Sequence, residues 1–313
     1  MSNRPLGSSG LMVSAVGIGC NAFGRRVDPA GVAEILDAAE DVGVTLLDTA
    51  DIYGSHPGES EELLGDALRG RRDRFVLATK FGMDMQGTLG EDHGVRGSRR
   101  YVRRAVEASL RRLQTDHIDL YQLHAYDDVT PLEETLSALD DLVRDGKVLY
   151  VGCSNFDGWQ VADASWTAQT SGLTPFVSVQ NRYSLLDRTV EAEVIPACEK
   201  FGLGMLPFFP LEYGLLTGKY HRGESAPDGS RAALDPARSG WLDTAEWDRI
   251  EALEAYAAER DLGILDVAIA GLAAQPAVSS VISGATRGEQ VRANAAALRW
   301  TPTPDDLAAL NEI

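Results

Sequence analysis

Short apolar runs alternate along the chain with longer segments whose apolar positions recur every three or four residues. The runs fall at 14–20, 44–48, 75–80, 118–124, 148–154, 176–180, 204–208 and 279–283, and their near-continuous apolarity fits strands covered on both faces. The amphipathic segments fall at 29–42, 60–68, 99–113, 131–145, 158–171, 190–201, 245–260 continued by 266–274, and 289–298. Their spacing predicts helices with one face on a core. Eight strand–helix units with no Pro/Gly/Ser-rich linker between them predict a (β/α)8 TIM barrel, α/β in class and a single domain over 1–313. A doubly wound sheet is the alternative. The first βα turn, Gly17-Ile18-Gly19-Cys20-Asn21-Ala22, lacks the third glycine of a dinucleotide fingerprint, which counts against it. Three segments depart from the alternation. Residues 6–13 read as an N-terminal hairpin capping the barrel bottom, 82–97 as a glycine-bearing loop after the third strand, and 212–243 as a long insertion after the seventh. Both long loops follow strands, so both are expected on the catalytic face.

Polar residues interrupt this pattern where a barrel opens. Asp48, Lys80 and His124 each end an apolar run, and Tyr53 follows Asp48 closely. Singly they have bland readings: a salt-bridged surface group, a hydrogen-bonded histidine, a core aromatic with a wet tip. Together, in a parallel barrel, they converge on one mouth. A lysine stem buried there needs an anionic partner, which Asp48 can supply. A phenol beside that cation is expected below its ordinary value of about 10, toward the range of a general acid. His124 can donate to the same substrate oxygen. Such a set suits protonating an alkoxide as it forms from a carbonyl.

Charge narrows the partners. The net charge of −18 opposes binding to nucleic acid or an anionic membrane. Arg99, Arg100, Arg103, Arg104, Arg111 and Arg112 stand at helical spacing among apolar residues, as a solvated helix face does. No apolar run is long enough for a membrane span, and Met1-Ser2-Asn3-Arg4-Pro5 lacks a secretory apolar segment. Cys20, Cys153 and Cys198 form no CxxC pattern, so reduced thiols, no metal site and a cytoplasmic location are expected.

Asp48-Thr49-Ala50-Asp51-Ile52-Tyr53-Gly54, Ala78-Thr79-Lys80-Phe81-Gly82 and Ile118-Asp119-Leu120-Tyr121-Gln122-Leu123-His124 resemble the aldo-keto reductase superfamily. The 146–156 and 179–184 segments add to the resemblance, which runs in matching order from about Gly10 to beyond Asn294. It implies a barrel that binds NADPH without a Rossmann domain, with Tyr53 as proton donor and Asp48, Lys80 and His124 completing a catalytic tetrad. It further implies that Ser154, Asn155 and Gln180 hold the nicotinamide carboxamide, that Phe208 stacks on the ring, and that Pro210, Leu211, Gly214 and Lys219 fold over the pyrophosphate. Gly284, Thr286, Arg287 and Gln290 match the loop and helix start that bind the adenosine 2′-phosphate, with Asn294 near the adenine. A helix N-terminus and an arginine fork both suit a phosphate. Cys20 and Asn21, with Asp48, are expected against the nicotinamide ribose, packing being an equal reading for Cys20 and Asn21. Phe209 stands where relatives carry Ser or Thr, and Ala293 where they carry an acid. The expected activity is NADPH-dependent reduction of an aldehyde or ketone held by Tyr53 and His124, with Phe23, Tyr126 and Phe156 as pocket walls and Trp241 joining them if the 212–243 loop folds inward. A sugar-nucleotide ketoreductase, an NADPH-holding regulatory subunit with poor turnover, and a Schiff-base aldolase using Lys80 are the alternatives.

Overall fold

The computed structural model describes residues 1–234 and 240–313. A hairpin of β1 (Asn3–Pro5) and β2 (Met12–Ser14) comes first. Eight parallel strands follow: β3 (Val16–Gly19), β4 (Leu46–Asp48), β5 (Val76–Phe81), β6 (Ile118–Leu123), β7 (Val148–Ser154), β8 (Ser178–Gln180), β9 (Gly204–Met205) and β10 (Val281–Gly284). They pair in chain order, β10 lying beside β3. Bridges from Met205 to Val278 and from Phe208 to Ile282 close β9 onto β10, making a (β/α)8 barrel.

The helices are α1 (Pro29–Val42), α2 (Glu59–Ala67), α3 (Arg99–Leu113), α4 (Leu132–Arg144), α5 (Gly158–Ser171), α6 (Val194–Phe201), α7 (Arg231–Leu234), α8 (Trp247–Ala258), α9 (Ile264–Ala273), α10 (Gly288–Ala297) and α11 (Pro304–Glu312). Several boundaries are fixed by side-chain chemistry. Asp28 accepts from the Gly31 N–H and Pro29 opens α1, while Gly43, at φ 76°, ends it in the left-handed region that glycine favours. The arginines of α3 are ion-paired in part: Arg112 to Glu61 at 2.7 Å, and Arg99 to Asp141. No helix among the described residues is long and apolar enough to cross a membrane.

Inside the barrel, side chains stack in layers. Leu6, Leu11 and Val13 of the hairpin region pack against Leu46, Ala78, Leu120, Leu206 and Ile282. This is an apolar plug at the bottom. Because side chains alternate along a strand, the next inward positions above Leu46, Ala78 and Leu120 are Asp48, Lys80 and Gln122. His124 lies one step higher. The opposite parity faces the helices and forms the larger core between the sheet and its sheath.

The structure departs from the sequence pattern in four places. The first hairpin strand, β1, precedes 6–13, which is mostly the turn, while β2 begins inside it at Met12 and takes Ser14 from the first barrel strand. The seventh barrel strand is only Gly204–Met205, since Pro207 has no N–H to continue a ladder. The 190–201 segment divides into a 3-10 turn at Thr189–Glu191 and α6. Helix α11 was not anticipated, although Thr303 and Asp306 form a reciprocal capping box with proline at the first position.

Candidate active site

Asp48, Lys80, His124 and Tyr53 come together at the C-terminal ends of β4, β5 and β6 and the loop after β4. Lys80 is fully buried, and its Nζ donates to Asp48 Oδ2 at 2.5 Å and to the Thr49 carbonyl at 2.9 Å. The same Nζ lies 5.1 Å from the centre of the Tyr53 ring. His124 meets that ring edge-on, with centroids 5.9 Å apart. Asp48 Oδ1 accepts from Gln122 Nε2 at 3.1 Å and Gln180 Nε2 at 2.8 Å.

The protonation states follow from burial and charge. Burial pushes the Tyr53 phenol up; Lys80 opposes this, but the phenol still ends above its ordinary value. The expectation of a phenol lowered toward neutrality therefore fails, because desolvation outweighs the neighbouring cation. Tyr53 keeps its proton at neutral pH and can donate it. Burial alone would lower the Lys80 ammonium, but Asp48 and Tyr53 outweigh it, so it stays charged. Burial, reinforced by Lys80, pushes His124 down to about 3, leaving a neutral imidazole. The site thus presents a protonated phenol and a neutral imidazole around one fixed ammonium.

Above the tetrad a cavity of about 710 Å³ runs from Tyr53 and His124 to the start of α10. Asn21, Asp48, Ser154, Asn155, Gln180 and Phe208 line its inner part. Pro210, Leu211, Gly214 and Lys219 line one wall; Gly284, Thr286, Arg287, Gln290 and Asn294 line the far end. Asn155 Nδ2 donates to the His124 carbonyl at 2.9 Å and to Ser154 Oγ at 3.1 Å, while Ser154 Oγ donates to the Gln180 carbonyl at 2.8 Å. Phe209 and Ala293, the two departures from the resemblance, also line the cavity.

Its electrostatics differ from those of the molecule as a whole. Arg26, Lys219, Arg231 and Arg287 all face the cavity. Of the three carboxylates there, Asp48 is paired to Lys80, Glu212 to Arg182 at 2.6 Å, and Asp228 is exposed. The interior therefore favours an elongated anion despite the net charge of −18. Ser283 Oγ, on the wall, is a buried polar atom with no partner among the described residues. A cavity this long, with cations along it and polar groups at both ends, fits a dinucleotide.

Several sequence-based expectations need correction. Cys20 is fully buried and does not line the cavity; Burial pushes its thiol up, and it packs in the outer core with α1. Phe23 is likewise buried in that core, and Phe156 is fully buried, so neither is a pocket wall. Tyr126 sits off the cavity, packed on Phe156 and Trp159. Trp241 stacks on Tyr213 at 5.5 Å without reaching the cavity. Part of the 212–243 segment does fold inward, through Pro227, Asp228, Gly229, Ser230 and Arg231; residues 235–239 of it lie outside the described residues. The backbone donors at the start of α10 are partly taken: Gly288 N–H by Glu34 at 2.8 Å and Thr286 N–H by Gln290 at 2.7 Å. Discrimination at that end then falls mainly to side chains.

Sequence reasoning missed Arg26 and Arg231; it expected the strap at Pro210, Leu211 and Gly214 from the resemblance, but not its backbone geometry or its anchor at Glu212. Phe209, Glu212 and Tyr213 all have left-handed backbone, with φ 55°, 42° and 56°. Non-glycine residues adopt it at a cost that surrounding contacts must offset. Glu212, nearly buried, accepts from Arg182 and from Ser184 Oγ at 2.7 Å, and Arg231 lies 4.7 Å over the Tyr213 ring.

Comparison with known proteins agrees with this architecture. The aldo/keto reductase family model matches residues 15–313. The chain belongs to the aldo/keto reductase family and is an oxidoreductase. It is 37% identical to the uncharacterized oxidoreductase YrpG of Bacillus subtilis, over 98% of this chain and 94% of that one. A probable voltage-gated potassium channel subunit beta of Oryza sativa subsp. japonica is 35% identical, covering 97% and 94%. One of the same description from Arabidopsis thaliana is 33% identical, covering 100% and 96%.

Proposed function

We propose that this oxidoreductase reduces a small aldehyde or ketone to an alcohol with NADPH, in the cytoplasm, and that Tyr53 is the proton donor. The observation that carries this reading is the protonated Tyr53 phenol between a buried Lys80–Asp48 pair and a neutral His124, at the floor of a cation-lined cavity. NADPH, when bound, supplies the hydride. Ser154, Asn155 and Gln180 would hold its carboxamide and Phe208 its ring face. Asn21 would meet the ribose, and the strap with Lys219 would cover the pyrophosphate. Gly284, Thr286, Arg287, Gln290 and Asn294 would receive the adenosine end. The carbonyl oxygen sits between Tyr53 and His124, whose hydrogen bonds strengthen as negative charge develops on it. Tyr53 then gives up its proton to the alkoxide, and Lys80 stabilises the phenolate left behind.

The aldolase alternative loses ground on geometry. A Schiff-base nucleophile must be an unprotonated amine open to substrate, whereas Lys80 is charged, ion-paired and fully buried. A second reading, an NADPH-holding regulatory subunit, draws on the two plant relatives named as channel subunits. Turnover separates the two. With a panel of aldehydes and ketones and NADPH oxidation as the readout, the parent should turn over and Tyr53→Phe should lose about 100-fold or more, with NADPH affinity within about twofold. Activity retained within a few-fold would remove Tyr53 as the acid, and an inert parent that still binds NADPH would favour the regulatory reading.

A further inference from the structure

One buried polar side chain at the site has no assigned role. Gln122 lies on β6 in register with Lys80 on one side and Gly152 on the other. It is fully buried, yet both ends of its amide are used. Nε2 donates to Asp48 Oδ1 at 3.1 Å, and Oε1 accepts from Gln180 Nε2 at 3.3 Å. Gln122 belongs to β6 and Gln180 to β8, with β7 between them. They meet because β7 contributes Gly152 at that level. A Cβ there would stand 2.4 Å from Ser178 Oγ and 3.4 Å from Gln122 Cγ.

The direction of these bonds is dictated by chemistry. An ionised carboxylate only accepts, so each glutamine must turn its NH₂ toward Asp48. Gln180 then spends one N–H on Asp48 and the other on Gln122. Only its carbonyl oxygen remains to face the cavity that Gln180 lines. A group with N–H donors, such as a primary carboxamide, satisfies that oxygen; a group with acceptors alone does not.

We infer that Gln122 is a positioning residue with two outputs. Through Asp48 it holds the Lys80 ammonium in place beneath Tyr53. Through Gln180 it fixes which end of that amide meets the cofactor's carboxamide. Both outputs rest on the proposed reading, the first on its reductase chemistry and the second on NADPH lying with its carboxamide at Gln180.

Two substitutions test it. Gln122→Leu removes both bonds at similar volume; kcat should fall about ten- to a hundredfold, the scale of a hydrogen bond to a charged group, and NADPH affinity by about three- to tenfold. Gln122→Glu keeps the shape and the acceptor for Gln180. When protonated, the introduced carboxyl can still donate to Asp48; when ionised, it sets a second negative charge beside it. Its kcat should therefore rise as pH falls through the titration of that carboxyl, over a range in which the parent shows no such rise. A purely structural role would not create that pH dependence. Gln122→Leu with kcat and NADPH affinity both within 1.5-fold of the parent would overturn the inference, as would a Gln122→Glu profile parallel to the parent's. NADPH affinity is measured by fluorescence titration without substrate, so an inert parent defeats the reductase reading while the binding output is still judged.

Discussion

Removing the Lys80 ammonium should damage the fold as well as the chemistry. The Lys80 and Asp48 side chains are 0% and 4% exposed, and their contact is 2.5 Å long. Deleting one partner of such a pair leaves a buried charge uncompensated, which costs about 3–5 kcal/mol. In Lys80→Met, Asp48 keeps the two amide donors of Gln122 and Gln180, so the loss should lie near the lower end, about 3 kcal/mol. In Asp48→Asn, Lys80 keeps the Thr49 carbonyl but has lost its counter-charge, a loss of similar size. The double variant carries neither charge, and replacing a whole buried pair is often nearly neutral. It should therefore be more stable than the two single losses together imply, by about 1.5 kcal/mol or more. Urea unfolding of all four proteins, with unchanged slopes, gives the coupling directly. Additivity within about 0.5 kcal/mol would mean that the pair is not coupled, and the derivation of the Lys80 charge state would fall with it.

Three other outcomes follow from the same geometry. Arg287 is exposed at the start of α10 with no side-chain partner among the described residues, so Arg287→Ala should weaken NADPH by roughly ten- to a hundredfold and leave NADH almost unchanged in fluorescence titration; equal losses would reduce it to shaping the loop. Glu212→Gln weakens the anchor of a strained strap, so NADPH should dissociate several-fold faster in stopped-flow displacement, and an unchanged rate would show that the strain holds itself. His124 titrates near 3 when folded against an ordinary 6.5, so between those values the unfolded chain binds the extra proton and its contribution to stability falls as pH drops, by at most about 1.4 kcal/mol per pH unit. His124→Gln should flatten the decline between pH 7 and 5, and a decline as steep as the parent's would refute the assignment.

How far the chain could be read depended on parity. The run ending in Asp48 and the runs ending in Lys80 and His124 carry polar residues at their tips, and polarity alone marks those tips as facing the mouth. Cys20 and Phe23 carry no such mark. Both faces of a parallel barrel strand are apolar, so nothing in an apolar run says which parity turns inward. The structure puts Gly17 inward, where a Cβ would meet Ile282 and Leu46, and Cys20 with the helices. Gln122 was legible by the same rule. It shares the parity of His124 and stands two residues before it, so an inward His124 implies an inward Gln122. The strap over the cavity was legible only through the resemblance at Pro210, Leu211 and Gly214; Arg26, Arg231 and the strap's left-handed turns were not, because such turns at non-glycine residues leave no periodic trace.

The layered interior also explains why so acidic a chain can hold an anion. At the bottom the hairpin and the first inward residues make a dry plug, so the polar layer above it has low-dielectric material beneath. Within that layer Asp48 is answered by Lys80 and two glutamine amides; on the strap Glu212 is answered by Arg182 and Ser184, and the third lining carboxylate, Asp228, is exposed. Higher up, Arg26, Lys219, Arg231 and Arg287 face the cavity. Surface acids act on the cavity through water and salt, which screen them over about 10 Å, while the cations lining it act at contact. The sign of the field where a ligand would lie is therefore set by a few residues on three connections, and the global charge acts chiefly on what approaches the surface. The same reasoning bears on Tyr53. In a site whose floor is dry, burial outweighs a neighbouring ammonium, and the phenol retains the proton that carbonyl reduction requires.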